Sequence, residues 1–204
     1  TEGDPRQRVV SILHPSADLR EGGWLPPVEI EGPGLGDKGS AGWVVPLLAP
    51  ALQRVYAFYT FNADNVTTVP PGDNTSCRCN LVGGQWYRYS DTWGASWSKR
   101  YQIPIRVTSI DRGNPWNGTQ LQGWTVSKPI VTQSGRVVMP FTKVGQYLQG
   151  HDRNWVLVTD NILTEPDASR IVWRTLPQGD GGASEGCGPE SGDIAEEGGV
   201  VELE

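Results

Sequence analysis

The chain has 204 residues and 22.2 kDa, with 37% apolar residues, 20% charged residues and nine tryptophans, a composition that disordered polypeptides lack. A net charge of −6 and a pI near 5.0 leave no electrostatic footprint for nucleic acid or an anionic membrane. Membrane insertion is not expected either, because the longest apolar run, 43–52, is broken by Pro46 and Pro50.

Helical periodicity is scarce. Short β-branched and aromatic runs, bounded by Gly, Pro, Asn and Asp, predict strands over Val9–Leu13, Trp43–Leu48, Arg54–Phe61, Trp86–Tyr89, Trp124–Thr132, Arg136–Val144, Trp155–Val158 and Ile171–Trp173. With 26 glycines and 16 prolines to make turns, the chain reads as all-β. Residues 1–8 do not resemble a signal peptide. Cys77 and Cys79 are too close to bridge comfortably and Cys187 is distant, so the cysteines make no disulfide scaffold. Cys77-Arg78-Cys79 has no partners at zinc spacing, and neither a metal site nor a cofactor is expected. Sequons at Asn65, Asn74 and Asn117 favour an extracellular setting in a eukaryote.

The strands repeat. Gly42-Trp43-Val44-Val45 returns as Gly123-Trp124-Thr125-Val126, and Arg54-Val55-Tyr56-Ala57-Phe58-Tyr59-Thr60 returns as Arg136-Val137-Val138-Met139-Pro140-Phe141-Thr142. A third strand follows in each copy, Trp86–Asp91 and Trp155–Asp160, and then a polar turn closing on a tryptophan. One such turn, Ser90-Asp91-Thr92-Trp93-Gly94-Ala95-Ser96-Trp97, resembles the Asp-box hairpin of sialidases and other β-propellers, in which Ser or Thr is followed by Asp, Gly and Trp at fixed steps. Thr92 stands where the Asp is expected, with Asp91 one place early. Ser16-Ala17-Asp18 through Trp24, and Thr159-Asp160 through Trp173, are longer relatives of the same turn. In it the Gly is expected to take a positive φ and the Trp to plug between neighbouring sheets.

The pattern from Asp18 through Glu197 resembles bacterial sialidase-like proteins with such repeats. That resemblance implies a six-bladed β-propeller of four-stranded antiparallel blades, of which this chain holds a partial propeller of about two and a half. The expected units are 1–30, the end of one blade; 31–110 and 111–180, two whole blades; and 181–204, the start of a fourth. The implied activity is that of a sialidase-like glycoside hydrolase acting on a glycan, with the present chain an incomplete piece, inactive alone. A non-catalytic propeller that binds carbohydrate or protein is the rival reading.

Loop lengths point to a candidate face. Long connections (62–85, 143–154, 31–41, 107–122, 178–196) alternate with short ones, and alternate connections of an antiparallel blade share a rim. Near the axis of that rim are expected Trp43, Trp124, Lys128, Asn62, Lys143 and the segment Glu196-Glu197-Gly198-Gly199. In the resembled family an acidic residue three places before a Val-Val pair polarises a tyrosine nucleophile; Glu197 has that spacing to Val200, and Glu196 is the neighbouring register. Both glutamates equally suit solvated loop acids. Lys128, Asn62 and Lys143 are candidate substrate contacts, and Trp116 suits either stacking on a sugar ring or anchoring its own loop. Trp43 and Trp124 recur in register, which favours packing. The arginine triad, tyrosine nucleophile and acid/base aspartate of the resembled family are expected outside this chain; Arg106, Arg112 and Arg153 read as solvated surface groups. Gly34–Gly39 spells a dinucleotide fingerprint but precedes a strand, and Gly182–Gly186 spells a nucleophile elbow without the strand-turn-helix frame.

Overall fold

A computed structural model describes residues 9–11, 23–36, 39–70, 81–145, 152–183 and 197–203. The fold is all-β: eleven strands in three antiparallel sheets, with a single α-turn, α1 (Ser109–Arg112), among the described residues. The first sheet pairs β1 (Val9–Ser11) with β2 (Val28–Glu31). The second runs β3 (Ala41–Ala49), β4 (Arg54–Phe61), β5 (Gly84–Ser90) and β6 (Tyr101–Gln102) in simple sequence order. The third repeats that order. Both β7 (Gly123–Trp124) and β8 (Ile130–Val131) pair with β9 (Val137–Val144), which pairs with β10 (Asp152–Thr159), and that with β11 (Arg174–Leu176).

The middle sheet is buried on both faces. Along β4, Tyr56 and Phe58 face one way and join Met139, Phe141, Trp155 and Leu157 of the third sheet in the main core. Ala57, Tyr59 and Phe61 face the other way and pack with Val9 and Ile30 of the first sheet. Period-2 alternation in a strand apolar on both faces thus serves two interfaces at once. Full burial of one such aromatic side chain contributes roughly 1.5–3 kcal/mol.

Most strands lie where the residue pattern puts them; β2 and β6 fall outside the expected runs, and two of those runs are altered. The run Trp124–Thr132 is interrupted at Ser127-Lys128-Pro129, where proline removes a ladder donor, leaving β7 and β8 as separate pieces on β9. The last pairing strand is Arg174–Leu176, not Ile171–Trp173, because Trp173 turns into the main core against Phe58 and Tyr87. Leu13, the cysteines, Asn74, Glu196, and most of Ser16–Trp24 and Gly182–Gly186 lie outside the described residues.

Candidate functional site

The two described tryptophan-closing turns are each built on a hydroxyl. Ser90 Oγ accepts from the amides of Thr92 (3.1 Å) and Gly94 (2.7 Å), and Thr92 Oγ1 accepts from Ser96 N (2.9 Å), so the threonine performs the loop closure expected of an aspartate. Gly94 sits at φ 95, the positive value the turn requires. In the longer copy, Thr159 Oγ1 accepts from Asn161 N (3.4 Å) and Asn161 Oδ1 accepts from Val172 N (3.1 Å). Trp97 and Trp173 then reach back to the preceding sheet: Trp97 Nε1 donates to Ser11 Oγ at 3.1 Å, and the Trp173 ring meets Phe58 edge-on at 5.7 Å. Trp24, whose turn lies mostly outside the described residues, is 60% exposed, unlike these two.

Asp91 has a different job. It takes a bidentate pair from Arg54 (2.7 and 3.0 Å), the residue opening β4, while the Arg54 guanidinium stacks 3.7 Å from the centroid of Tyr89. The third sheet repeats this link: Arg136 Nε donates to Asp160 at 2.6 Å, and Arg174 joins the same carboxylate at 2.5 Å. Asp91 is therefore not a misplaced box aspartate but one half of a recurrent clasp between second and third strands.

At the opposite ends of the strands, the long loops meet the seam between the second and third sheets. Gly83 N donates to Leu121 O, Val82 bridges Gln122, and Gln120 Nε2 donates to Asp64 at 2.7 Å. On the inner strand entries, Trp43 (φ 59, in a bulge of β3) lies against Trp124, ring centroids 6.0 Å apart. Thr60 and Gln85, opposite each other on β4 and β5, bracket the next entry strand: Gln85 Nε2 donates to Thr60 Oγ1 (2.8 Å), which donates to Gly123 O (3.0 Å). Their counterparts Thr142 and Asn154 do the same one sheet further on, with the polarity reversed. Glu197 N donates to Thr142 Oγ1 (3.1 Å), which donates to Asn154 Oδ1 (2.9 Å).

Glu197 itself is exposed and held at φ 55, a backbone region that a residue with a Cβ seldom adopts. Gly198 beside it lies so close to Asn154 that a Cβ would come within 2.9 Å of Nδ2. Lys128 is exposed. Asn62 is buried and clamps its own loop, exchanging hydrogen bonds with both backbone groups of Val66 (2.7 and 2.9 Å). Trp116 is half-buried, and its carbonyl accepts from Thr119 N and Oγ1 (3.0 and 2.7 Å), holding the turn that carries it.

Lys143, expected at the rim, points inward instead. Its ammonium donates to Asp111 Oδ2 (2.5 Å), Arg106 O (2.6 Å) and Thr108 Oγ1 (3.3 Å), which uses all three of its protons. Burial holds its pKa below the usual lysine value, with Asp111 acting in the opposite direction. Asp111 stands fully buried in α1, where its Oδ2 also accepts from Thr108 N and Oγ1. Its Oδ1 and the buried Gln85 Oε1 accept no hydrogen bond among the described residues. The rim arginines are also engaged: Arg106 Nη2 donates to Pro177 O and Gly179 O, both at 2.6 Å, and Arg112 lies 3.7 Å from Asp180. Arg153 Nη1 donates to Asp152 O.

A second buried ionic cluster escaped the sequence reading. Glu31, fully buried at the end of β2, accepts from Tyr59 OH (2.7 Å) and Arg88 Nε (3.2 Å) and lies 3.4 Å from Arg100. It ties the first sheet to the second. Glu31 leaves no local signal, since its partners come from three other segments.

Among the described residues no group of three or more His, Cys, Asp or Glu side chains is placed to hold a metal ion, and no helix is long and apolar enough to cross a membrane. No protein-family model and no curated protein matches the chain in sequence. In three dimensions it is similar to the crystal structure of a protein of unknown function from Dyadobacter fermentans, with a TM-score of 0.57 at 16% identity. The likeness covers 86% of this chain and 44% of that one, so the chain spans less than half the length of its structural relative.

Proposed function

We propose that this chain is a portion of an Asp-box β-propeller of sialidase type, a glycoside hydrolase that takes a glycan on the rim formed by its long loops. The carrying observation is the recurrent turn. Two hydroxyl-closed loops end in Trp97 and Trp173, each seated on the sheet before it, so that successive meander sheets stack like adjoining blades. On that reading Glu197 is the rim carboxylate that would polarise a phenol nucleophile, and its pinned backbone suits a group whose direction matters. Lys128 and Trp116 remain proposed glycan contacts. For Asn62 and Lys143 the geometry supports a role in shaping the rim from beneath.

One observation favours the non-catalytic reading. Arg106 and Arg112 are engaged with protein carbonyls and a carboxylate, so these two do not present free guanidinium groups to a carboxylated sugar. The test compares the present chain with the complete open reading frame on a fluorogenic sialoside. Turnover by the complete protein alone, cut at least tenfold by Glu197→Gln with unchanged circular dichroism, is the expected result. Equal turnover by the 204-residue chain overturns the partial-propeller reading. Glycan binding without turnover by the complete protein selects the binding module.

A further inference from the structure

Between the second and third sheets, just beneath the long-loop rim, lies a cavity of about 10 Å³ lined by Gln85, Gly123, Asp111, Thr142 and Lys143. That volume is close to the space one water requires. Two of its lining side chains, Gln85 at 2% exposure and Asp111 at 0%, carry an acceptor oxygen that is sealed from bulk solvent and accepts nothing from the described residues. The orientation of the Gln85 amide is not arbitrary. Thr60 Oγ1 donates to Gly123 O, so its remaining role toward Gln85 is that of acceptor, and Nε2 must be the atom it faces. Oε1 is thereby left for the cavity. Asp111 is constrained in the same way, because Lys143, Thr108 N and Thr108 Oγ1 all converge on Oδ2.

We propose that this cavity is a specific site for one buried water, which donates one proton to Asp111 Oδ1 and the other to Gln85 Oε1. A neutral donor fits better than a cation, since Lys143 already balances the Asp111 charge. With the water in place, a closed polar circuit crosses the seam: Lys143 on β9, Asp111 on α1, the water, Gln85 on β5, Thr60 on β4 and the carbonyl of Gly123 on β7. The site is independent of the glycan reading, because it concerns how the two sheets are joined under the rim.

An atomic-resolution crystal structure should show a single solvent peak about 2.6–3.2 Å from both oxygens. Oxygen-17 relaxation dispersion should count one long-lived internal water fewer in Gln85→Met, whose thioether fills the space without offering an acceptor of comparable strength. If Gln85→Met does not fold, Gln85→Leu supplies the same comparison, since it likewise removes the acceptor oxygen from the cavity. Three outcomes overturn the proposal: a Gln85 amide turned onto Asp111 in the unaltered protein, a protonated Asp111 donating directly to Gln85 Oε1, or no change in the count of long-lived waters.

Discussion

Thr92 shows how a threonine hydroxyl can close a turn for which an aspartate was expected. Its hydroxyl accepts from the Ser96 amide and lies 2.8 Å from Ser96 Oγ. Thr92→Ala should therefore lower stability by about 1 kcal/mol, whereas Thr92→Asp, which keeps an acceptor at that point, should cost less; urea midpoints of the two variants decide it. Lys143 and Asp111 form a steeper case. Lys143→Met leaves a buried carboxylate with its counter-charge gone and should cost about 3–5 kcal/mol, with a much smaller loss when Asp111→Asn is added in the same chain. A cost that is simply additive in that cycle would refute the coupling. The inward aim of Lys143 was legible in the sequence after all, because it continues the alternation Val137, Met139, Phe141 of core-facing positions. Its charge suggested the rim, and the strand period prevailed. The one-turn helix around Asp111 was likewise foreshadowed by Thr108 followed three places later by an acid, a pattern that satisfies free amides at a helix start.

The longer strands were readable from β-branched and aromatic runs because buried strands require little else; the short β2 and β6, the pairing partners and the faces of β4 were not, since they depend on which strand or sheet lies alongside. That double burial has a pH consequence. Burial raises the phenol pKa of Tyr56, Tyr59 and Tyr87, with the Glu31 charge adding to the effect at Tyr59. In the unfolded chain these phenols ionise near pH 10. The folded state then holds more protons than the unfolded one, so their stabilisation is complete below pH 10 and is lost as the pH climbs toward the raised values. Stability should decline above about pH 10 by up to 1.4 kcal/mol per pH unit for each of the three. Absorbance at 295 nm should show them ionising only together with loss of the far-UV signal; a separate, earlier titration of all three would contradict their burial. Against the main-core face of the same sheet, Trp173→Ala removes a ring of the third sheet's turn that contacts both Phe58 and Tyr87 and should cost about 3–5 kcal/mol in thermal or urea unfolding.

The three sheets share their cores in sequence, and neither of the larger two owns one outright. Tyr56, Phe58 and Tyr87 of the second sheet occupy the same cluster as Met139, Trp155 and Trp173 of the third. A chain cut to residues 105–203 should therefore give no cooperative unfolding transition, even though it contains every strand of its own sheet; a sharp transition in that piece would show that each sheet folds alone. Repeat order and most of the strands could be read from the sequence, whereas the seam could not, because Gln85, Asp111 and Lys143 come together only through stacking.

The Arg54–Asp91 and Arg136–Asp160 clasps join strands of one sheet, while Trp97 and Trp173 contact the sheet before. Cohesion within a layer and adhesion between layers thus rest largely on different side chains and meet at Arg54, whose Nη1 also donates to Pro166 O of the third sheet's turn at 2.9 Å. A lineage, or an engineer, can alter the tryptophan socket to change how neighbours nest without loosening the hairpins themselves. The reverse edit is open at Arg136 and Asp160, and a layer copied with both parts carries its own fastening to whatever precedes it.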